Sequence, residues 1–178
     1  MIKNKKIFHF ILLVIIVLVL YLMLSSRHEK YKIGALVGSQ VPEFNLALLD
    51  EKSNFTNQKL KELNTEYKLL NFFASWCSTC MLEHDDLLTL SNRKDIKIIG
   101  VVWRDSPKSS KNWLEKHGDP YDLLLFDKSG SSKMQFGLIG VPESFLIDGN
   151  NNIIAHYRGP INLAQLNGFL DNKIKLIQ

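Results

Sequence analysis

Residues 76–84 read W-C-S-T-C-M-L-E-H, and Cys77 and Cys80 are the only cysteines in the 178-residue chain. Two thiols at this spacing allow three kinds of chemistry: a structural crosslink, a share of a metal site, or a disulfide that opens and closes. A crosslink stabilises most when it closes a long loop, and this one would close only two residues. Structural zinc takes four ligands, usually from two paired motifs, and no second Cys/His pair is present. Cys77, Cys80 and His84 could still present three ligands to copper, while His117 and His156 stand far off in sequence. Reversible exchange suits the spacing best. A thiol attacks a disulfide as its thiolate, and an ordinary cysteine, with a pKa of about 8.5, is mostly protonated. At the first turn of a helix, Cys77 would meet free N–H groups and the positive end of the helix dipole, which favour the charged form. Cys80, one turn further on the same face, would attack the mixed disulfide and release the product.

Several neighbours bear on that chemistry. Glu83 follows Cys80 by three residues. On pattern alone it reads as a solvated carboxylate in the first turns of a helix, and the functional reading makes it a partly buried acid exchanging protons with Cys80. Asp85 and Asp86 are expected to be solvated. Trp76, aromatic and loop-borne beside Cys77, is expected to face a docking partner. In I139-G-V-P-E143 a proline precedes a buried strand, which permits a cis bond, with a trans proline at a strand start as the alternative. A cis Val141–Pro142 bond would expose the Val141 backbone to an extended peptide, paired with it like an added strand.

The elements that must position these residues follow from periodicity and turn signals. Alternation from Phe44 to Leu48 predicts a strand after Pro42, and Asn57–Leu63 a short helix. The mostly apolar run 68–73 reads as a strand buried on both faces and leads straight into the cysteines. A helix to about Asn92, a buried strand over 96–102 and a helix opened by Ser106-Pro107 and ending near His117-Gly118 come next. A strand over 123–126 and a short helix over 132–136 precede two strands, 143–147 and 153–157, flanking the turn signal Asp148-Gly149-Asn150. Residues 163–174 read as a closing helix. Strand–helix alternation in the first part implies parallel strands with helices on both faces, and the cysteines sit where a strand gives way to a helix, where reactive sites of such sheets gather.

The chain's start points to export. Residues 10–24 are unbroken apolar, and Ile7 and Phe8 extend the run across His9 to a length near the roughly 20 residues that span a bilayer. Lys3, Lys5 and Lys6 precede it, so the remainder is expected outside the cytoplasm. Met23-Leu24-Ser25-Ser26 lacks the small-residue pattern of a cleaved signal peptide, which favours an uncleaved anchor. Those three lysines supply +3 of the formal net charge of +4, and no basic stripe with interleaved aromatics marks the remainder, so nucleic-acid binding is excluded.

Together, G38-S-Q-V-P-E-F-N-L46, L69-L-N-F-F-A-S-W-C-S-T-C-M-L-E-H84, W113-L-E-K-H-G-D-P-Y121, L125-F-D127 and G137-L-I-G-V-P-E-S-F-L-I-D-G149 resemble the thioredoxin-like proteins of cytochrome c maturation, the CcmG/DsbE type. The resemblance implies a membrane-tethered thiol reductase. In it Cys77 is the attacking thiol, Cys80 the resolving one, Pro142 the cis-proline facing them, Glu83 the acid that tunes the pair and Glu143 a second acidic neighbour. It further implies that the substrate is apocytochrome c, through the cysteines of its haem motif, or a haem-ligation component, and that electrons come from a membrane thiol–disulfide donor. Ser78 stands where such proteins commonly carry proline, Met81 where a polar or small residue is common, and Trp103 where tyrosine is frequent. Relatives of the ResA/TlpA type, some acting as general envelope reductases, share the pattern.

The expectation is therefore an α/β chain with a thioredoxin fold, a central mixed sheet flanked by helices, preceded by one N-terminal transmembrane helix. Residues 1–26 would form a cytoplasmic flank and anchor, 27–37 a tether and 38–178 the catalytic domain, on the periplasmic side of a bacterial inner membrane. It is expected to act as a monomer, without metal or other cofactor, as a disulfide oxidoreductase working in the reducing direction.

Overall fold

The computed structural model describes His9 and residues 12–19, 34–49 and 53–177, with side chains up to Asp171. The expected anchor lies mostly outside the described residues. His9 and residues 12–19 are helical, and among the described residues no helix is long and apolar enough to cross a membrane. The chain divides after Lys32, and the second unit carries everything that follows.

That unit is built from β1 (Asn45–Leu48), β2 (Asn54–Thr56), α1 (Asn57–Glu62), β3 (Tyr67–Phe73), α2 (Met81–Leu90), β4 (Ile96–Trp103), α3 (Pro107–His117), β5 (Leu123–Asp127), α4 (Ser132–Phe136), β6 (Glu143–Asp148), β7 (Ile153–Arg158) and α5 (Leu163–Ile177). The strands form one mixed sheet in the order β2-β1-β5-β4-β3-β6-β7. β3, β4 and β5 run parallel, whereas β1 meets β5, and β6 meets β3, antiparallel. The parallel centre follows from strand–helix alternation, because each crossover through a helix returns the chain in the same direction. β2 answers no expectation from sequence, since three residues are too few for alternation to register. Residues 34–37, within the expected tether, pack on the domain: Gly34 is buried, and the Gly38 N–H donates to Ile153 O at 2.8 Å.

β3 lies inside the sheet between β4 and β6, every residue buried, because its Leu and Phe side chains must fill both faces. Leu70 and Phe72 pack with Phe44, Leu60, Phe136 and Phe145 on one face. Tyr67 and Leu69 pack with Leu87 and Leu90 of α2 and Leu166 and Leu170 of α5 on the other. This second face also takes Asn71, which with Lys68 on the first face is polar within the strand. The termini of α3 are those its sequence announces: Ser106 Oγ accepts from Ser109 N–H at 3.0 Å, Pro107 opens the helix, and Gly118 N–H donates to Leu114 O.

Candidate active site

The cysteines occupy the turn between the end of β3 and the start of α2. Bonds of the i to i+3 kind tie Cys77 N–H to Ala74 O (3.1 Å), Cys80 N–H to Cys77 O (3.2 Å) and Leu82 N–H to Thr79 O (3.2 Å). These tight turns delay the α-helix until Met81, so Cys77 stands one turn ahead of the helix rather than within its first turn. It still receives an amide, since Cys80 N–H points at its Sγ from 3.1 Å. Cys77 and Cys80 are joined as a disulfide, with Cα atoms 5.4 Å apart. Cys77 is the more accessible, at 6% exposure against 2%.

Facing Cys77 is the loop before β6, where the Val141–Pro142 peptide is cis and the Val141 carbonyl lies 3.5 Å from Cys77 Sγ. Thr79 Oγ1 approaches the same sulfur to 3.3 Å. Glu143 holds this loop from beneath. Its side chain is buried; Oε1 accepts from Ile139 N–H (2.6 Å) and Gly140 N–H (2.9 Å), and Oε2 pairs with His156 Nε2 at 2.8 Å. Burial pushes the Glu143 carboxyl upward, but the bonds from His156 and the two amides outweigh it and hold the group below the usual carboxylate range. Glu143 thus shapes the loop from the inside, and His156, remote in sequence, is its partner because β6 and β7 pair. The His156 ring stacks on Phe145 with centroids 4.1 Å apart, and Gly34 lies so close to it that a Cβ there would strike the ring. A groove of about 280 Å³ runs beside the disulfide, lined among others by Thr79, Ile139, Val141, Pro142, Arg158 and Pro160.

Glu83 is fully buried, against the reading that pattern alone favours. As the third helical residue it could reach back to cap its own helix. Instead, Oε1 accepts from Asn71 Nδ2 at 2.8 Å and Oε2 from Ile161 N–H at 2.7 Å, because β3 and the segment before α5 close over it. Asn71 also donates to Ser144 Oγ and accepts from the Tyr121 hydroxyl, both at 2.8 Å. Burial dominates over the two hydrogen bonds, with a smaller push from the charge of Asp86, and raises the Glu83 carboxyl from 4.5 to about 7. A carboxyl titrating near neutrality, one helical turn beyond Cys80, can exchange protons with a thiol. Asp86, expected to be solvated, accepts from Leu163 N–H at 3.1 Å, so two carboxylates of α2 clip the start of α5 and the residues leading into it.

Trp76 is 58% exposed at the rim, its Nε1–H donating to Arg104 O at 3.2 Å, so its outer face is free for docking. Asp105 braces the same corner by accepting from Ser75 N–H and the Ser110 hydroxyl. His84 is buried with Nε2 directed at the carbonyls of His117 (3.2 Å) and Gly118 (3.1 Å), a pairing that requires it to donate there. Among the described residues no three His, Cys, Asp or Glu side chains gather to hold a metal, and His84 Nε2 is committed to two backbone carbonyls. The fold brings Trp76, Cys77, Cys80, Glu83, Val141, Pro142 and Glu143 to one end of the sheet. Sequence reasoning passes over Asn71, Tyr121, Ser144 and His156. A polar residue flanked by apolar ones within a buried strand is the signal that marks Asn71 and His156, and Ser144 and Tyr121 carry none.

Residues 36–170 match the family model described as Redoxin. The thiol:disulfide interchange protein DsbE of Haemophilus influenzae is 38% identical over 129 residues, covering 72% of this chain and 70% of that protein. The thiol:disulfide interchange protein HelX of Rhodobacter capsulatus is 36% identical over 127 residues, covering 71% and 70%. Among solved structures, a thioredoxin-like protein from Aeropyrum pernix aligns with a TM-score of 0.62 at 20% identity, over 73% of this chain and 89% of that one, a likeness of fold.

Proposed function

The chain belongs to the Redoxin family, among the thiol:disulfide interchange proteins, and from that premise we propose that this oxidoreductase works as a reductant. Its substrate is the disulfide formed by the haem-motif cysteines of an apocytochrome c, or that of a haem-ligation component. Residues 7–24 anchor it in the inner membrane with the catalytic domain on the periplasmic side, a reading supported by the apolar run and its lysine flank. A membrane thiol–disulfide donor returns it to the dithiol form, and it acts as a monomer.

In the forward reaction the Cys77 thiolate attacks one sulfur of the substrate disulfide, forming a mixed disulfide and releasing the other sulfur as a thiolate that takes a proton. Cys80 gives its proton to Glu83 and attacks Cys77 Sγ, the second substrate sulfur leaves as a thiolate that takes a proton, and two electrons have passed from protein to substrate, now a dithiol. Val141 and Pro142 present backbone to the substrate strand, Trp76 offers an apolar face, and Glu143 keeps the loop in place. One observation carries the direction. Among the described residues Cys77 Sγ meets one amide, the Thr79 hydroxyl and the Val141 carbonyl, but no cationic side chain, and the site holds two buried carboxyls, Glu83 and Glu143. A strongly oxidising pair requires a strongly stabilised thiolate. Here the thiolate is supported only modestly, so the disulfide form is favoured and electrons are readily given.

Cys80→Ala tests this reading, because it cannot resolve its mixed disulfide and should hold its substrate covalently in native membranes. Capture of apocytochromes or haem-ligation components supports the maturation role. Capture of many unrelated exported proteins replaces it with a general reductase, and the absence of any Cys77-dependent adduct refutes both.

A further inference from the structure

The groove beside Cys77 is apolar along most of its length, with Val141, Pro142 and Pro160 in its lining and Ile139 at its edge, 70% exposed. Two charged side chains line it, and they are placed very differently. Glu143 is 3% exposed and its oxygens are occupied by two amides and His156 at 2.6–2.9 Å. Arg158 stands opposite Glu143 in the β6–β7 register, with half of its side chain in solvent. Its Nε forms a long ion pair with Glu143 Oε2 at 3.8 Å, beyond hydrogen-bond reach, and among the described residues its side chain makes no hydrogen bond. The guanidinium thus keeps its planar fork of N–H donors, a geometry suited to a carboxylate.

Resting on the reductase reading above, we propose that Arg158 is a specificity-determining residue, and that the groove selects extended peptides carrying an acidic side chain close to the reactive cysteine. The spacing follows from the strand. The cysteine under attack lies by Val141, whose carbonyl faces Cys77 Sγ, and Glu143, level with Arg158, is two residues further along. Across one cis and one trans peptide, about 2.9 and 3.8 Å between Cα atoms, that is at most roughly 7 Å, so the carboxylate belongs within about two residues of the cysteine. Ile139 and Pro142 offer the neighbouring apolar contact. A peptide on the surface meets the exposed Arg158 cation before the buried, paired Glu143.

The test uses the full-length reduced chain in detergent and peptides whose two cysteines, two residues apart, form a disulfide flanked by glutamate, glutamine or lysine. Each rate is divided by the same protein's rate on hydroxyethyl disulfide, which has no peptide to be read. For the unaltered chain the expected order is glutamate, glutamine, lysine, with about five- to tenfold between the extremes at low salt and little at high salt, the scale of a half-exposed ion pair and its like-charge converse. Arg158→Glu should invert the order and Arg158→Gln flatten it. An unaltered chain without this order, or an Arg158→Glu protein that keeps it, overturns the proposal. A chain that reduces neither the peptides nor hydroxyethyl disulfide through Cys77 overturns the reductase reading itself, a separately recognisable failure.

Discussion

Glu83→Gln should change how stability depends on pH in a way that isolates the buried acid. In the folded chain the carboxyl titrates at about 7, against 4.5 for an ordinary glutamate, with burial as the leading cause. The folded state therefore holds this proton more tightly than the unfolded chain does, and Glu83 detracts nothing below pH 4.5. As pH rises through 4.5 towards 7 the unfolded chain ionises first, and stability falls. At 1.36 kcal/mol per unit, the full loss above pH 7 is about 3 kcal/mol, of which about 2–3 kcal/mol accrues between pH 5 and pH 8. Glutamine cannot ionise, so this slope disappears. It has one carbonyl oxygen for the two donors, Asn71 and Ile161, and loses about 1–3 kcal/mol at every pH. Urea unfolding of both proteins in the disulfide form, where neither cysteine titrates, separates the two effects. The unfolding free energy of the unaltered chain minus that of Glu83→Gln should fall by about 2–3 kcal/mol from pH 5 to pH 8. In thermal melts, at about 2–4 °C per kcal/mol for a domain of this size, the same change is roughly 5–10 °C. A difference that stays constant across this range, or rises with pH, refutes the assignment of a near-neutral acid beside Cys80.

His156→Ala leaves the buried Glu143 carboxylate without its ring partner and should cost about 2–4 kcal/mol at pH 7, read by urea unfolding, together with a raised KM for disulfide peptides as the loop over 139–142 loosens. Because the Glu143 carboxyl is held below its usual 4.5, the stability it contributes is present above that pH and lost as pH falls through its folded value, and this acid-side loss should shrink in the variant. Gly100→Ala would set a Cβ 2.8 Å from the Tyr121 ring and 2.9 Å from Leu124 Cδ2, forcing the ring off the strand at a cost of about 1–3 kcal/mol, measurable as a lowered unfolding midpoint. The same displacement should weaken the Tyr121–Asn71 bond and with it the setting of Glu83.

The strand–helix alternation, the cap at Ser106-Pro107 and the Asp148-Gly149 turn were legible because each is a local preference, expressed within a few residues. β2, whose three residues owe their pairing to the neighbouring strand β1, was not. The cysteine pair was equally legible from its spacing and its place at a strand–helix junction, whereas the cis bond of the loop facing it was left open by the residues and came only with the resemblance. Glu83 divides the two levels. Three residues after Cys80 its place on the helix is settled, yet whether it is a solvated surface acid or a buried proton carrier depends on what closes over it. Asn71 comes from the central strand and Ile161 from the far end of the chain, and only folding brings them to it. The His156–Glu143 pair likewise exists because β7 returns alongside β6. Chain-local chemistry is written in the order of residues. Burial, and the pKa values and hydrogen-bond partners that follow from it, belong to contacts between segments far apart in sequence, so only the tertiary structure decided them.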